Sequence, residues 1–402
     1  MNLVSVVGLG MSPADLSPAV LEAMTDAEVL AGGRRLLDFF SDHPGRRLPL
    51  TGKVELWLEQ VAQAAQSHRV AVLASGDPGF YGIAARVIQR LGSQRVRVLP
   101  NITAVQAAFA RLKLPWQEAR IISLHGRGPA ALFSAVAHCD LVAVYSDHTH
   151  TPGRMAAMLL RRGQEGWRMH VAENLGAPDE RVSTHTLSEA VGGNFSALNL
   201  VVLERTHRPE SLCLGLPEEA YEHSQGLITK AEVRAVALAK LRLRPRHLLW
   251  DLGAGCGSLG LEASGLLWQG AVVAVERDAD RAEIIRRNRA RYGAANLEVV
   301  HGEMPAVLPE LPRPDRVFVG GAGPALEDVL DQALWRLPAA GVVVVAAIQL
   351  DTVQRARRKL AAAGLGHEVV QVQINRGAPL AADLYLKALN PVWLISATKE
   401  AP

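Results

Sequence analysis

The residues whose types and spacing could do chemistry fall in short glycine-rich runs. The clearest is Asp251-Leu252-Gly253-Ala254-Gly255-Cys256-Gly257, set between the apolar run Leu248–Leu252 and a helical pattern that starts at Ser258. Glycines in such a place allow a sharp turn and let a ligand approach the backbone closely. Glu276 ends the next apolar run, one strand–helix unit later. An acid there can accept both hydroxyls of an adenosyl ribose. A pyrophosphate prefers G-x-G-x-x-G at a helix N-terminus, yet here that spacing starts only at Gly255, and Asp251 heads the loop. A cofactor with no phosphate and a cationic centre suits an acid better. That favours S-adenosylmethionine over a nicotinamide dinucleotide, which remains the competing reading.

Two further segments extend the pattern. Glu303 and Met304 follow the third apolar run of this half, where an adenine would lie against backbone and apolar side chains. Gly320 opens Gly320-Gly321-Ala322-Gly323 after the fourth run, where a methyl group would emerge. Amino-directed nucleic-acid methyltransferases commonly carry an acid or amide, then Pro-Pro and an aromatic, in that place. The glycines found here leave room for a bulky substrate and supply no base. Cys256, inside the loop, reads as a small filler rather than a nucleophile.

The first half has its own set. Val7-Gly8-Leu9-Gly10 follows a β-branched run, and Ser75-Gly76-Asp77-Pro78-Gly79-Phe80-Tyr81-Gly82 follows Val70–Ala74. Pro100-Asn101-Ile102-Thr103-Ala104 follows Val96–Leu99, and Leu124-His125-Gly126-Arg127 follows a fourth run. Each is a tight turn at a strand end with exposed backbone groups. Asp77 either touches a ligand or caps its own turn.

These runs need strands and helices to position them. The first half offers strands at 3–7, 70–74, 96–99, 119–124, 141–145, 169–173 and 198–204, with helices between them. The second offers strands at 248–252, 271–276, 297–301, 316–319 and 341–347, helices near 258–267, 278–292, 325–337 and 352–364, and an antiparallel edge pair at 368–374 and 393–397. The alternation predicts an α/β protein with mostly parallel sheets. Residues 207–223 hold Pro209, Pro217 and several acids without periodicity, and are expected to be a linker between domains 1–206 and 224–402.

Composition narrows the function. Of 402 residues, 43 are Lys or Arg and 40 are Asp or Glu, a net charge of +3, which argues against a nucleic-acid binder. Only 5% are aromatic, too few for base-stacking platforms. The longest apolar run, 342–348, is far short of a membrane span. Cys139, Cys213 and Cys256 form no C-x-x-C, so neither zinc nor a disulfide framework is expected, and reduced thiols fit a cytoplasmic protein. The N-terminus lacks the features of a signal peptide.

The second half resembles the precorrin-6Y C5,15-methyltransferase (decarboxylating) family of cobalamin biosynthesis through Gly226-Leu227-Ile228-Thr229-Lys230-Ala231-Glu232-Val233-Arg234-Ala235, residues 249–258, and residues 314–321. The first half resembles the tetrapyrrole methylases through the runs around Gly8, Asp77 and His125. Asn101 stands where those proteins usually have glycine.

The resemblance implies two folds in one chain. The first is a two-lobed tetrapyrrole methylase (class III methyltransferase) that methylates C5. The second is a Rossmann-like class I methyltransferase that methylates C15 and removes the carboxyl of the C12 acetate. It implies an S-adenosylmethionine site in each domain: Gly8, Leu9, Gly10, Asp77, Gly79, Thr103 and Ala104 in the first, and Thr229, Asp251, Gly253, Ala254, Gly255, Cys256, Gly257, Glu276, Glu303, Met304 and Gly320 in the second. The substrate is a tetrapyrrole rich in carboxylates, metal-free or with cobalt, for which His125, Arg127, Lys230 and Arg234 are the candidate contacts. Glu262 is expected only to pack or to face solvent. No catalytic base is identified and no metal, nucleic acid or membrane partner is implied; a homo-oligomer is.

Overall fold

A computed structural model describes residues 3–224, 226 and 228–400. Leu227 of the matched 226–235 run lies outside the described residues.

The first lobe is a five-stranded parallel sheet of β1 (Val4–Gly8), β2 (Val29–Gly32), β3 (Arg46–Pro49), β4 (Val70–Ala74) and β5 (Val96–Leu99), in the order β3-β2-β4-β1-β5. Its central strands are continuous apolar runs because helices cover both faces: all of β4 is buried, and so are Val4, Val6 and Val7. β2 and β3, four residues each, are too short to show a period and are absent from the sequence reading.

The second lobe holds β6 (Arg120–Ser123), β7 (Leu141–Tyr145), β8 (Trp167–Glu173), β9 (Arg181–Thr186) and β10 (Asn199–Arg205), in the order β6-β7-β10-β8-β9. Here the expectation of a mostly parallel sheet needs correction. Only β6 and β7 run parallel; β10 lies antiparallel to both neighbours and β9 antiparallel to β8. The polar edge strand β9, Arg-Val-Ser-Thr-His-Thr, carried no apolar signal by which to find it.

The second half is a seven-stranded sheet of β11 (Leu248–Leu252), β12 (Ala271–Glu276), β13 (Leu297–His301), β14 (Arg316–Val319), β15 (Val342–Ala347), β16 (His367–Val372) and β19 (Val392–Thr398). The order is β13-β12-β11-β14-β15-β19-β16; the first five are parallel and β19 is antiparallel to β15 and β16, as the edge-pair reading expected. A separate hairpin, β17 (Asn375–Leu380) and β18 (Asp383–Ala388), stands off this sheet and was not anticipated.

Residues 207–223 are not a loose connector. Leu212, Leu216, Ala220 and Tyr221 pack into the core of the second half, and Glu218 is buried there.

Candidate active sites in two domains

In the second half, β11 ends at the glycine loop and the helix Ser258–Leu266 leaves it. Gly253, Gly255 and Gly257 all have positive φ. Two of them are glycine for packing reasons: a Cβ on Gly253 would sit 2.3 Å from the Gly321 carbonyl oxygen, and one on Gly257 would sit 2.9 Å from the Ile285 side chain. Gly255 differs, since nothing lies within 4 Å of where its Cβ would be. Gly321, on the facing segment after β14, has the same open space. The open space at both positions leaves a gap at this end of the sheet.

Glu276, buried at the end of β12, borders that gap. Its Oε2 accepts the Gly255 amide at 2.8 Å and its Oε1 the Asp278 amide at 3.1 Å. Each oxygen keeps a lone pair, so a diol can still be accepted. Asp251 plays another part. It is 1% exposed, and its Oδ2 accepts the Gly260 amide at 3.0 Å, tying β11 to the first turn of the helix. Burial, with a smaller push from the Glu276 charge, raises its carboxyl to about 7. Cys256 is buried, its thiol is pushed up by burial, and its carbonyl accepts Asn288 Nδ2 at 3.0 Å; it is a filler, not a nucleophile. Met304 is half-buried against the core and Glu303 is exposed.

The 226–235 run is corrected at Arg234. Its guanidinium is 0% exposed, pairs with Glu262 Oε1 at 2.8 Å, and donates to the carbonyls of Thr229 and Leu216. Tyr221 Oη donates to the same Glu262 oxygen at 3.0 Å. Arg234 therefore fastens Leu216 and Thr229 to the core and offers no donor to a substrate. Glu262, expected to pack or face solvent, is its buried counter-ion. Lys230 is part-exposed at the N-cap of the helix Ala231–Leu241, with Nζ 4.0 Å from Glu218. Beside the glycine stretch lies a cavity of about 250 Å³ between the ends of β14 and β15, lined by Val319, Gly320–Gly323, Leu326, Val345–Gln349 and Thr352, without a charged side chain.

In the first half, a cleft of about 610 Å³ lies between the two lobes. Gly8 and Gly76 meet beneath it: Gly76 donates to the Gly10 carbonyl at 2.9 Å, and a Cβ on Gly8 would be 2.7 Å from the Gly76 oxygen. Leu9 is buried, so its side chain faces the core. Asp77 holds its own turn, accepting from the amides of Gly79 at 2.7 Å and Asn101 at 3.1 Å. Asn101, the departure from the usual glycine, is a staple: its Nδ2 donates to the carbonyls of Gly8 and Asp15. Thr103 caps the helix Ala104–Leu112 and, with Ala104, faces the cleft.

His125 and Arg127 also line the cleft, on a loop held by Asp147, which accepts the Gly126 amide at 3.2 Å. Asp147 is kept down at about 2, chiefly by the His150 amide, then by those of Gly126 and Thr149. Two more arginines, Arg35 and Arg86, line the same cleft. They sit on amphipathic helices and gave no motif to find them by. Among the described residues, Arg35, Arg86 and Arg127 make no ion pair, so the cleft presents three unpaired guanidiniums. Phe80, Tyr81 and Tyr145 add an aromatic wall, with Tyr81 in the left-handed region at φ 51°.

Comparison with known proteins matches two parts of the chain separately. Residues 3–191 match the tetrapyrrole (corrin/porphyrin) methylases, and residues 219–399 match the precorrin methyltransferase domain. A precorrin-6Y C(5,15)-methyltransferase (decarboxylating) of Sinorhizobium sp is 32% identical, over 98% of this chain and 96% of that protein. The halves also match separate proteins. A probable cobalt-precorrin-6B C(15)-methyltransferase (decarboxylating) of Pyrobaculum calidifontis is 40% identical over 46% of this chain and 95% of its own length. A cobalt-precorrin-7 C(5)-methyltransferase of Salmonella typhimurium is 34% identical over 50% of this chain and 99% of its own length. The nicotinamide reading is thereby set aside: the chain belongs to the precorrin-6Y C(5,15)-methyltransferase (decarboxylating) family and is a methyltransferase of cobalamin biosynthesis.

Proposed function

We propose that residues 224–402 methylate C15 and decarboxylate the C12 acetate of a metal-free precorrin, that residues 1–206 methylate its C5, and that each domain binds its own S-adenosylmethionine. The overall conversion is precorrin-6B to precorrin-8. The observation that carries the reading is the pair of unconnected clefts, each built on glycine turns at strand exits. Metal-free substrate is chosen because the relative matched along nearly the whole chain carries the precorrin name, whereas those matching one half carry the cobalt-precorrin name.

When bound, the cofactor supplies an electrophilic methyl group on sulfur. The chain supplies position. Gly255 and Gly321 leave the space, and Glu276 offers lone pairs to a ribose. Arg35, Arg86 and Arg127 hold peripheral carboxylates, the charge-assisted contacts that fix a flat ring in a cleft. The reacting ring carbon is already electron-rich, so no strong base is needed, and orientation with water exclusion carries the rate. In the decarboxylation, the bond to the carboxyl breaks, carbon dioxide leaves, and the conjugated ring takes the electron pair until the methylene is protonated. The uncharged cavity beside Gly320 suits a departing carboxylate, which loses solvation there.

We further propose a homo-oligomer joined through the β17–β18 hairpin. Leu380, Leu384 and Leu386 are exposed there, more apolar surface than one hairpin usually shows to water. We also propose a cytoplasmic location, a reading that the free cysteines Cys139, Cys213 and Cys256 support. Incubation with labelled cofactor and either precursor, read by mass, tests the whole reading. It expects two methyls gained and one carboxyl lost on the metal-free substrate. Tight NADH binding without S-adenosylhomocysteine binding would refute it.

A further inference from the structure

The two clefts lie at opposite ends of the molecule. In the second lobe, β10 runs from Asn199 and Leu200 at the cleft to Arg205 at the far end. β8 runs from Trp167 at the far end to Ala172 at the cleft, and β7 reaches the cleft at Tyr145. The far end is where the second half docks. Ser134 Oγ donates to the Trp268 carbonyl at 2.7 Å, and Arg162 Nη1 donates to the Ala295 carbonyl at 2.7 Å. Arg289 Nη2 donates to the Arg161 carbonyl at 3.0 Å.

On the second half the docked surface lies mostly at the entry ends of the strands, and Arg289 comes nearest the site, since its neighbour Asn288 donates to the Cys256 carbonyl of the glycine loop. Trp268 follows the helix that leaves the glycine loop, Arg289 is in the last turn of Ala279–Arg291, and Ala295 lies just before β13. The glycine loop, Glu276 and Gly320 are all at the exits of the parallel strands.

The seam between them is closed. Ala295 is fully buried in the core of the second lobe, and Arg162, stacked on Phe133, pairs with Glu298 across the seam. Two hollows flank it, of about 540 and 380 Å³, and neither shares a lining residue with either site. The connecting segment cannot act as a swinging arm. Glu210 is bound to Arg291 through both backbone and side chain, and Leu212 and Leu216 are packed down.

We infer that the tetrapyrrole intermediate leaves the chain between the two methylations, because the described residues of one protomer form no route from one site to the other. This rests on the two-site reading above. The fusion then keeps the two activities in equal amount and does not channel.

Isotope dilution tests it with the wild-type chain. The intermediate is first made with a single equivalent of unlabelled cofactor. The starting tetrapyrrole is then converted with methyl-labelled cofactor, alone or with a tenfold excess of that intermediate. Release predicts that doubly labelled product falls roughly tenfold, since the second site draws on the bulk pool. Doubly labelled product at undiminished yield overturns the inference. A second arm mixes Gly255→Val with Gly76→Val, each blocked at one site. Release expects the mixture to form the complete product, and its absence with both variants folded by circular dichroism counts against release. If the single-equivalent reaction gives doubly methylated product and no one-methyl product, the intermediate is retained and the inference fails; if neither Gly255→Val nor Gly76→Val, both folded, yields a one-methyl product, the two-site reading itself fails, and the inference with it.

Discussion

Glu276 Oε2 accepts the amide of Gly255 at 2.8 Å, so the acid at the end of one strand fixes the glycine loop at the end of its neighbour. The contact sets the loop before any ligand arrives. Gly255→Val should fill the open space and, at φ 62°, strain the backbone as well. C15 methylation and decarboxylation should be lost while C5 methylation of a suitable intermediate persists. Glu276→Ala should weaken S-adenosylhomocysteine binding at this site by ~1.5–3 kcal/mol, the worth of hydrogen bonds to a charged group. Calorimetry should then show one of two sites weakened. Retained C15 methylation in Gly255→Val would mean the loop is misassigned.

Much of this site was legible because its signals are local. The turn glycines, the strand-ending Glu276 and the count of seven strands all follow from short apolar runs broken by glycine. What escaped depends on distant partners. Arg234 sits in a run shared with the family, and nothing local distinguishes a substrate arginine from one that neutralises Glu262, 28 residues on. Arg35 and Arg86 reach the first cleft only because the lobes close over them. Asn101 looked like a departure from pattern, and it is a staple between Gly8 and Asp15. β9 and the β17–β18 hairpin lack buried apolar faces, so their sequences carry little strand signal.

Asp251 makes the second domain's stability depend on pH. Its carboxyl rises from 3.8 to about 7 on folding, so between those values the folded state binds more protons than the unfolded. Stability therefore falls as pH rises through that window, by up to ~1.4 kcal/mol per pH unit from this group. Asp251→Asn keeps an acceptor for the Gly260 amide and removes the titration. Its unfolding midpoint should exceed that of the parent near pH 8 and vary less between pH 4 and 7. An unchanged pH slope in denaturant titrations would refute the assignment.

Arg234 and Glu262 should behave as a buried pair. Arg234→Ala strands the Glu262 carboxylate and should cost ~3–5 kcal/mol. Replacing both, Arg234→Met with Glu262→Leu, should cost less than either single change, because no unpaired charge remains. A substrate-binding arginine would behave otherwise, raising KM for the C15 step while leaving the melting temperature alone. Paired thermal melts and kinetics separate the two roles.

The exposed hairpin predicts an assembly that charge can break. Leu384 and Leu386 are 69% and 72% exposed and lie on one face of β18, since they are two residues apart. Arg376 on β17 pairs with Glu218 and Glu232, which fixes the hairpin's base to the body. Leu384→Lys with Leu386→Lys should lower the sedimentation mass to that of one chain without lowering the melting temperature.

Arg35, Arg86 and Arg127 should share the work of holding the first domain's substrate. Each is exposed and unpaired at one cleft, so its removal costs no buried contact and should leave stability within ~0.5 kcal/mol. A lost charge-assisted contact is worth ~1.5–3 kcal/mol, so each alanine variant should raise KM for C5 methylation roughly 10- to 100-fold. C15 methylation should not change, because that site lies beyond the seam at the other end of the chain. Lysine should rescue only partly where a carboxylate is gripped by two parallel N–H donors, since an ammonium cannot reproduce the fork. An arginine whose alanine variant leaves KM at the parent value is facing solvent and holds nothing.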